Sequence, residues 1–243
     1  MSRTQVRGCG TALVTPFTSE GKLDHSAFRA LVDWQIDQGI HFLVPCGSTG
    51  EAATLSLDEH LEVVSMTVEQ AAGRVPVVAG VGGNDTAATV ELAKVVSDQG
   101  ASHLMVASPP YNRPPQRGLI AHFEAIADAV GVPVLLYNVP GRTASNIAAE
   151  TTLALAAHPN IVGIKEASGD MDQILEVILC RPDGFTVVSG DDPLTVQIMA
   201  LGGDGVVSVV GNAVPRLMSQ LTEAMDRADL PEAQELMATL EPI

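Results

Sequence analysis

Eight short runs of apolar, mostly β-branched residues recur along the chain, separated by segments with a helical pattern. The runs are Gly10–Thr15, His41–Pro45, Val75–Gly80, His103–Ala107, Pro133–Tyr137, Ile161–Lys165, Phe185–Ser189 and Gly205–Val210. Each run is almost continuously hydrophobic rather than alternating, which is typical of parallel strands that are buried on both faces.

The segments between the runs carry helix start and stop signals. Asp24 precedes an amphipathic run that Gly39 ends, and Ser56–Glu59 has the pattern of a capping box. Asp192, followed by a proline, is predicted to cap a helix over Leu194–Leu201. Strand–helix units spaced roughly 20 to 35 residues apart predict an α/β fold, an eight-stranded parallel (β/α)8 TIM barrel. An open doubly wound sheet is the alternative, but no Gly-x-Gly-x-x-Gly follows the first strand.

The end of the chain predicts a division into two parts. We expect residues 1–228 to form the catalytic barrel and residues 229–243 to begin a C-terminal helical extension that is incomplete. The predicted elements run on without a linker between them, so a single barrel domain is favoured over two separate domains.

Composition narrows the class of protein. Of 243 residues, 46% are hydrophobic, yet no apolar run approaches the length of a membrane span. The polar start, Met1–Arg7, gives no export signal, and Cys9, Cys46 and Cys180 have neither disulfide nor zinc spacing. We therefore expect a cytoplasmic protein. The formal net charge of −16 argues against a nucleic-acid partner, although it does not exclude small anionic substrates.

One lysine stands out among the three in the chain. Lys22 lies in a polar loop and Lys94 in a helical pattern, whereas Lys165 ends the buried run that begins at Ile161. An amine that is partly desolvated there has a lowered pKa and can attack a carbonyl to form a Schiff base. A strand-end lysine can also extend to solvent, and this run alone leaves both interpretations open.

Other polar side chains follow the strand ends, where a barrel has its active site. The turn around Ser48 and Thr49 is rich in glycine and hydroxyl groups and resembles an anion-binding turn. Tyr137 could transfer protons, and Arg142 could bind a carboxylate through two hydrogen bonds. Both tyrosines of the chain, Tyr111 and Tyr137, fall at this end. A plain turn, a core tyrosine and a solvated arginine are the alternatives for these features.

The remaining titratable groups give weaker hypotheses. The six histidines are scattered, so we expect neither a metal site nor a zinc-dependent aldolase. Glu166, Asp191 and Asp192 could act as acids or bases, although capping of the next helix is the simpler explanation for Asp192.

Five motifs, taken in order and spacing, identify a family. They are Gly47–Glu51, Tyr111–Pro114, Tyr137–Thr143, Gly163–Ser168 and Ser189–Asp192. From Gly8 to its end the chain resembles the dihydrodipicolinate synthases (4-hydroxy-tetrahydrodipicolinate synthases), which belong to the pyruvate-dependent class I aldolase and lyase superfamily.

The resemblance implies a reaction and a set of site residues. It implies condensation of pyruvate with L-aspartate 4-semialdehyde in lysine and diaminopimelate biosynthesis, with no metal or organic cofactor. By this resemblance Lys165 forms the imine with pyruvate, Ser48 and Thr49 hold the pyruvate carboxylate, and Arg142 binds the semialdehyde carboxylate.

The resemblance further implies a proton relay and an assembly. Thr49, Tyr137 and Tyr111 would form the relay, with Tyr111 shared across an interface of a homotetramer built as a dimer of dimers. Gly190 and Val207 would supply backbone contacts near the site.

Two alternative functions remain open. One is a pyruvate-dependent aldolase, such as an N-acetylneuraminate lyase or a 2-keto-3-deoxy sugar-acid aldolase, and the other is a non-catalytic metabolite-binding relative. Arg142 favours the synthase, because an aldehyde that bears a carboxylate needs that positive charge.

The chain also departs from relatives that lysine inhibits. Pro110 stands where those relatives have a second aromatic residue, Leu57 replaces a histidine, and Ala88 replaces a glutamate. Without that glutamate the lysine ammonium has no carboxylate partner, so we expect weak or absent feedback by lysine.

Overall fold

The computed structural model describes residues 6–242, so the polar residues 1–5 and the last residue lie outside it. The strands are β1 (Gly8–Ala12), β2 (Phe42–Val44), β3 (Val78–Val81), β4 (His103–Ala107), β5 (Val134–Asn138), β6 (Ile161–Glu166), β7 (Thr186–Ser189) and β8 (Gly205–Ser208). The helices are α1 (His25–Asp37), α2 (Leu57–Ala71), α3 (Thr86–Asp98), α4 (Gln116–Ala129), α5 (Pro140–Thr143), α6 (Ala149–Ala156), α7 (Met171–Cys180), α8 (Thr195–Ala200), α9 (Pro215–Asp226) and α10 (Leu230–Leu240).

The eight strands form one parallel sheet that curls into a nearly closed barrel. Their order is β2-β1-β8-β7-β6-β5-β4-β3. The two edges meet where the Leu43 amide donates to the Pro76 carbonyl at 3.0 Å and Leu43 forms a parallel bridge with Val77. The predicted (β/α)8 barrel is therefore confirmed, and the open doubly wound alternative is wrong.

Two apolar layers hold the barrel together. Side chains that point inward, such as Phe42, Met105 and Leu135, fill the interior, while a larger cluster lies between the strands and the helices. Strands covered on both sides have no polar face, which explains why their sequences do not alternate.

Most of the predicted helix starts are confirmed. The Asp24 side chain accepts from the Ala27 amide, and Ser56 and Glu59 form both hydrogen bonds of a capping box.

The prediction for Asp192 is wrong. Asp191 occupies the N-cap position of a 3₁₀ turn at Asp192–Leu194, and α8 begins only at Thr195. The Asp192 carboxylate instead accepts from the amides of Val209 and Val210, at 2.9 and 3.0 Å. It thereby links the loops that follow β7 and β8.

The chain ends on two packed helices. Ala233 and Leu240 of α10 are buried, and α10 lies against α9. The division at residue 228 stays a prediction. None of the helices in the described part of the chain is long and apolar enough to cross a membrane.

Candidate active site

Lys165 lies at the carboxyl end of β6 with its side chain inside the barrel. Only 4% of the residue is exposed. The register of the sheet pairs it with Tyr137 on β5, and its Nζ atom lies 4.2 Å from the centre of the Tyr137 ring. The alternative in which this lysine extends to solvent is thus excluded.

Burial changes the chemistry of this amine. It lowers the pKa of Lys165 from 10.5 to about 8; the negative charge of Asp192 opposes the change, and the positive charge of Arg142 adds to it. A substantial fraction of the amine is then neutral near physiological pH, and the neutral amine is the nucleophile.

Gly190, in the loop after β7, leaves room for the lysine stem. A Cβ atom at this position would lie 2.9 Å from the Cε atom of Lys165 and 2.8 Å from the Cβ atom of Ala167. Any side chain here would displace the lysine or the loop, so glycine is needed for the close approach.

Tyr137 connects the lysine to the turn after β2. Burial raises the pKa of Tyr137, while Arg142 and a hydrogen bond with the Ser48 side chain lower it. The phenol therefore stays protonated near neutral pH and can donate a proton.

The turn after β2 is wound like one turn of a helix. The amides of Gly50 and Ala52 donate to the Gly47 carbonyl, and the Glu51 amide donates to that of Ser48. These three amides are used within the turn, so it is the start of the turn, with the Ser48 hydroxyl, that can receive an anion.

A cavity of about 480 Å³ opens beside these groups at the carboxyl ends of β2 to β5. Tyr137, Ser48 and Arg142 line it, whereas Lys165 adjoins it through the Tyr137 ring.

The segment that carries Arg142 is held by Thr143, whose hydroxyl accepts from Ser108 at 3.2 Å. Ser108 and Thr143 were not predicted as site residues, although Ser108 follows β4 at the strand-end position that located the others.

The other predicted site residues are not all in contact with Lys165. Val207 is buried inside the barrel, and Thr49 is half-buried in the turn, but the side-chain partner of Tyr137 is Ser48. Tyr111 is 87% exposed and has a φ of 70°, a conformation that non-glycine residues rarely adopt. Within one chain Tyr111 therefore faces solvent.

Glu166 lies outside the cavity, whereas His60 is one of the residues that line it. Side chains alternate along a strand, so Glu166 points to the layer between barrel and helices, away from Lys165. Among residues 6–242 no group of three or more histidine, cysteine, aspartate or glutamate residues is placed to hold a metal ion.

Comparison with known proteins agrees with this arrangement. The Dihydrodipicolinate synthetase family model matches residues 5–243. A 4-hydroxy-tetrahydrodipicolinate synthase of Koribacter versatilis is 54% identical over 96% of this chain and 78% of its own length. The crystal structure of dihydrodipicolinate synthase from Aquifex aeolicus superposes with a TM-score of 0.95 at 40% identity, covering 98% of this chain and 81% of that one.

A third relative was solved with a ligand. The chloride-inhibited dihydrodipicolinate synthase from Acinetobacter baumannii, complexed with pyruvate, has a TM-score of 0.93 at 40% identity, and the match covers 96% of this chain and 80% of that one. A family match over nearly the whole chain, together with these identities, shows that the chain belongs to the dihydrodipicolinate synthetase family.

Proposed function

We propose that the chain is a 4-hydroxy-tetrahydrodipicolinate synthase, a lyase that condenses pyruvate with L-aspartate 4-semialdehyde through a Schiff base on Lys165. The observation that carries the proposal is the buried amine of Lys165, 4.2 Å from the ring centre of Tyr137 at the barrel mouth. The relatives in the same family bear this name.

The first half of the reaction takes place at the lysine. The neutral amine attacks the keto carbon of pyruvate, the carbinolamine loses water, and a protonated imine remains. Tyr137 is placed to give the proton that the leaving hydroxide needs. Because the imine accepts electrons, the pyruvate methyl group then loses a proton to the Tyr137 phenolate left by that donation and becomes a nucleophilic enamine.

The second half forms the new carbon–carbon bond. The enamine carbon attacks the aldehyde of the semialdehyde, and Tyr137 returns a proton to the developing alkoxide. The nitrogen of the semialdehyde then displaces Lys165 from the imine, so the amine is released and the ring closes. No oxidant, metal or organic cofactor enters this sequence.

Binding of the two substrates relies on separate groups. The hydroxyl groups of Ser48 and Thr49 hold the pyruvate carboxylate, and Arg142, exposed at the cavity rim, binds the semialdehyde carboxylate. The backbones of Gly190 and Val207 border the imine. The positive charge of Arg142 at the rim is needed to attract the anionic substrates, because the chain as a whole carries a net charge of −16 and repels anions.

Reduction of the imine tests this proposal directly. Sodium borohydride added with pyruvate should fix one pyruvate-derived group on the peptide that contains Lys165, as mass spectrometry of the digest would show. Lys165→Arg should abolish the adduct and turnover. An unmodified Lys165 in the unaltered chain would sink the proposal. An adduct together with cleavage of sugar acids and no turnover of L-aspartate 4-semialdehyde would instead identify a sibling aldolase.

The assembly is part of the proposal, because Tyr111 faces solvent in one chain. We place Tyr111 in the site of a neighbouring subunit of a homotetramer, where it completes the relay with Thr49 and Tyr137. Mixing inactive Tyr111→Phe chains with inactive Lys165→Ala chains should then restore activity, since a mixed pair contains one complete site. Failure of the mixture to recover activity, with exchange of subunits verified, would contradict this placement.

The cytoplasmic location belongs to the same proposal. It rests on the three cysteines, of which Cys9 and Cys46 are buried as free thiols. Fractionation of the native cells with detection of the chain would test it.

A further inference from the structure

Asn138 and Glu166 immediately follow the two central residues of the site. The register pairs Asn138 with Glu166 in the same way that it pairs Tyr137 with Lys165. Because side chains alternate along a strand, this second pair lies on the outer face of the barrel wall. Both residues are buried, with exposed fractions of 0% for Asn138 and 2% for Glu166.

The Glu166 carboxylate is held by hydrogen-bond donors alone. Its two oxygens accept from Asn138 Nδ2 at 3.1 Å each, and they accept from the Ser168 amide at 2.7 Å and from Gln173 Nε2 at 3.4 Å. None of the ion pairs within residues 6–242 involves Glu166. Burial accordingly raises its pKa.

Asn138 extends the connection to the segment that carries Arg142. Its Oδ1 atom accepts from the Ile147 amide at 2.9 Å, and its Nδ2 atom also donates to Asn146 Oδ1 at 2.9 Å. One amide group thus joins β5, β6 and the chain that returns from Arg142 towards α6.

A buried carboxylate without a cation is costly to keep, and apolar residues would fill the same space more cheaply. Fixed geometry is the benefit that this arrangement offers. We infer that Glu166 and Asn138 are positioning residues, which hold the Lys165 amine against Tyr137 and fix the Arg142 segment from behind the barrel wall. The inference rests on the proposed Schiff-base function and adds to it two residues that do not touch substrate.

Glu166→Gln tests the inference, because it keeps the size of the side chain and changes one acceptor into a donor. The remaining oxygen, Oε1, still accepts from the Ser168 amide and from Asn138 Nδ2, but the new NH2 group in the place of Oε2 now faces two donors, Asn138 Nδ2 and Gln173 Nε2. Asn138 must then lose one of its two hydrogen bonds to residue 166 and move away from the NH2 group, or turn over and abandon the Ile147 amide. We expect the rate of borohydride-trapped imine formation at saturating pyruvate to fall about ten- to a hundredfold, because even a small misplacement of the reacting groups slows a reaction by this much.

The double variant Asn138→Asp with Glu166→Gln restores the match of donor and acceptor between positions 138 and 166, although it gives up the hydrogen bond from Asn138 to Asn146 Oδ1. The carboxylate introduced on β5 can accept from both the Ile147 amide and the new glutamine, and the buried charge is conserved. We expect the double variant to trap pyruvate several-fold faster than Glu166→Gln. A merely structural role predicts no such recovery of rate in folded protein.

Asn160→Ala is the matched control at the opposite end of β6. Its side-chain amide donates to the carbonyls of Ala127, Val130 and Val132, each at 3.0 Å. Its loss should lower the melting temperature while the trapping rate of the folded protein stays unchanged. Gln173→Leu, at the half-exposed edge of the network, provides a milder test should Glu166→Gln not fold, and we expect about a two- to threefold loss of rate.

The outcomes separate the two proposals. If the unaltered chain is not trapped with pyruvate, the Schiff-base function fails and this inference with it. If the unaltered chain is trapped and Glu166→Gln or Gln173→Leu traps as fast, only the positioning role is refuted. A double variant that folds but is no faster than Glu166→Gln also refutes it.

Discussion

The Lys165 amine is subject to two opposing electrostatic effects, and Asp192 supplies the one that favours the charged form. Burial lowers the pKa of Lys165 and Asp192 raises it. One oxygen of Asp192 accepts two backbone hydrogen bonds, while the buried Oδ1 atom has no partner within the described residues. The position of this carboxylate therefore contributes to the pKa of Lys165, and so to the pH at which the amine becomes reactive, although burial has the larger effect.

Asp192→Asn should move that pH downward. Removing the negative charge leaves burial and Arg142 to act alone, so the pKa of Lys165 falls below about 8. The rate of imine trapping, measured against pH, should show its midpoint at lower pH than in the unaltered chain. Asp191→Asn, at the exposed neighbouring position, is the control and should leave the midpoint in place. An unchanged or higher midpoint for Asp192→Asn would contradict the assignment.

Gly190→Ala should slow the reaction for a steric reason. The added methyl group would lie 2.9 Å from the Lys165 Cε atom, so the amine has to shift. We expect trapping to slow about tenfold or more. Gly131→Ala, where an added Cβ atom has no neighbour within 4 Å, should leave the rate unaltered. Equal rates for the two variants would show that the lysine stem adapts.

At the level of elements, the hydrophobic pattern predicted where the strands lie, but it predicted their first and last residues less accurately. The observed β4 coincides with the predicted run His103–Ala107. The run from Val75 begins three residues before β3, and the run from Gly205 ends two residues after β8, in a 3₁₀ turn. Apolar residues in the approach to a strand carry the same pattern as the strand itself, so the pattern cannot mark its first or last residue.

Local sequence patterns did not predict the contacts between residues that lie far apart in the chain. Asp192 has the local appearance of a helix cap, but its carboxylate bonds to amides 17 and 18 residues further along the chain. The strand-end rule located Lys165, Tyr137 and Arg142, because parallel strands end at one edge. It did not reveal that Asn138 and Glu166 bond behind that edge, since this depends on strand register.

Two of the residues on which the prediction of weak lysine feedback rests lie at the starts of α2 and α3. His60 and Pro110 line the cavity, while Leu57 and Ala88 are exposed at the starts of α2 and α3. With no carboxylate at position 88, lysine should inhibit weakly, with a loss of affinity of tens- to hundreds-fold that corresponds to about 2–3 kcal/mol. Steady-state rates with added L-lysine would check this. Ala88→Glu should strengthen inhibition, and strong inhibition of the unaltered chain by sub-millimolar lysine would contradict the prediction.

For the whole molecule, the reactive lysine is a source of instability. The unfolded chain holds its lysine proton up to about pH 10.5, whereas the folded chain releases it near pH 8. Between these values the unfolded state binds more protons, so stability rises with pH. Below about pH 8 the full cost is present, and the difference of about 2.5 pKa units corresponds to about 3 kcal/mol.

Lys165→Met should therefore stabilise the fold while abolishing the adduct with pyruvate. Methionine fills similar space without a charge, so the free energy of unfolding at pH 7 should rise by up to about 3 kcal/mol relative to the unaltered chain. The gain should shrink as the pH rises from 8 towards 10.5, because the unaltered chain then loses its penalty. Urea unfolding across this range would measure both effects. Lys94→Met, on the exposed side of α3, is the control and should lack the trend. A gain that does not vary with pH would mean that packing, and not the buried charge, separates the two proteins.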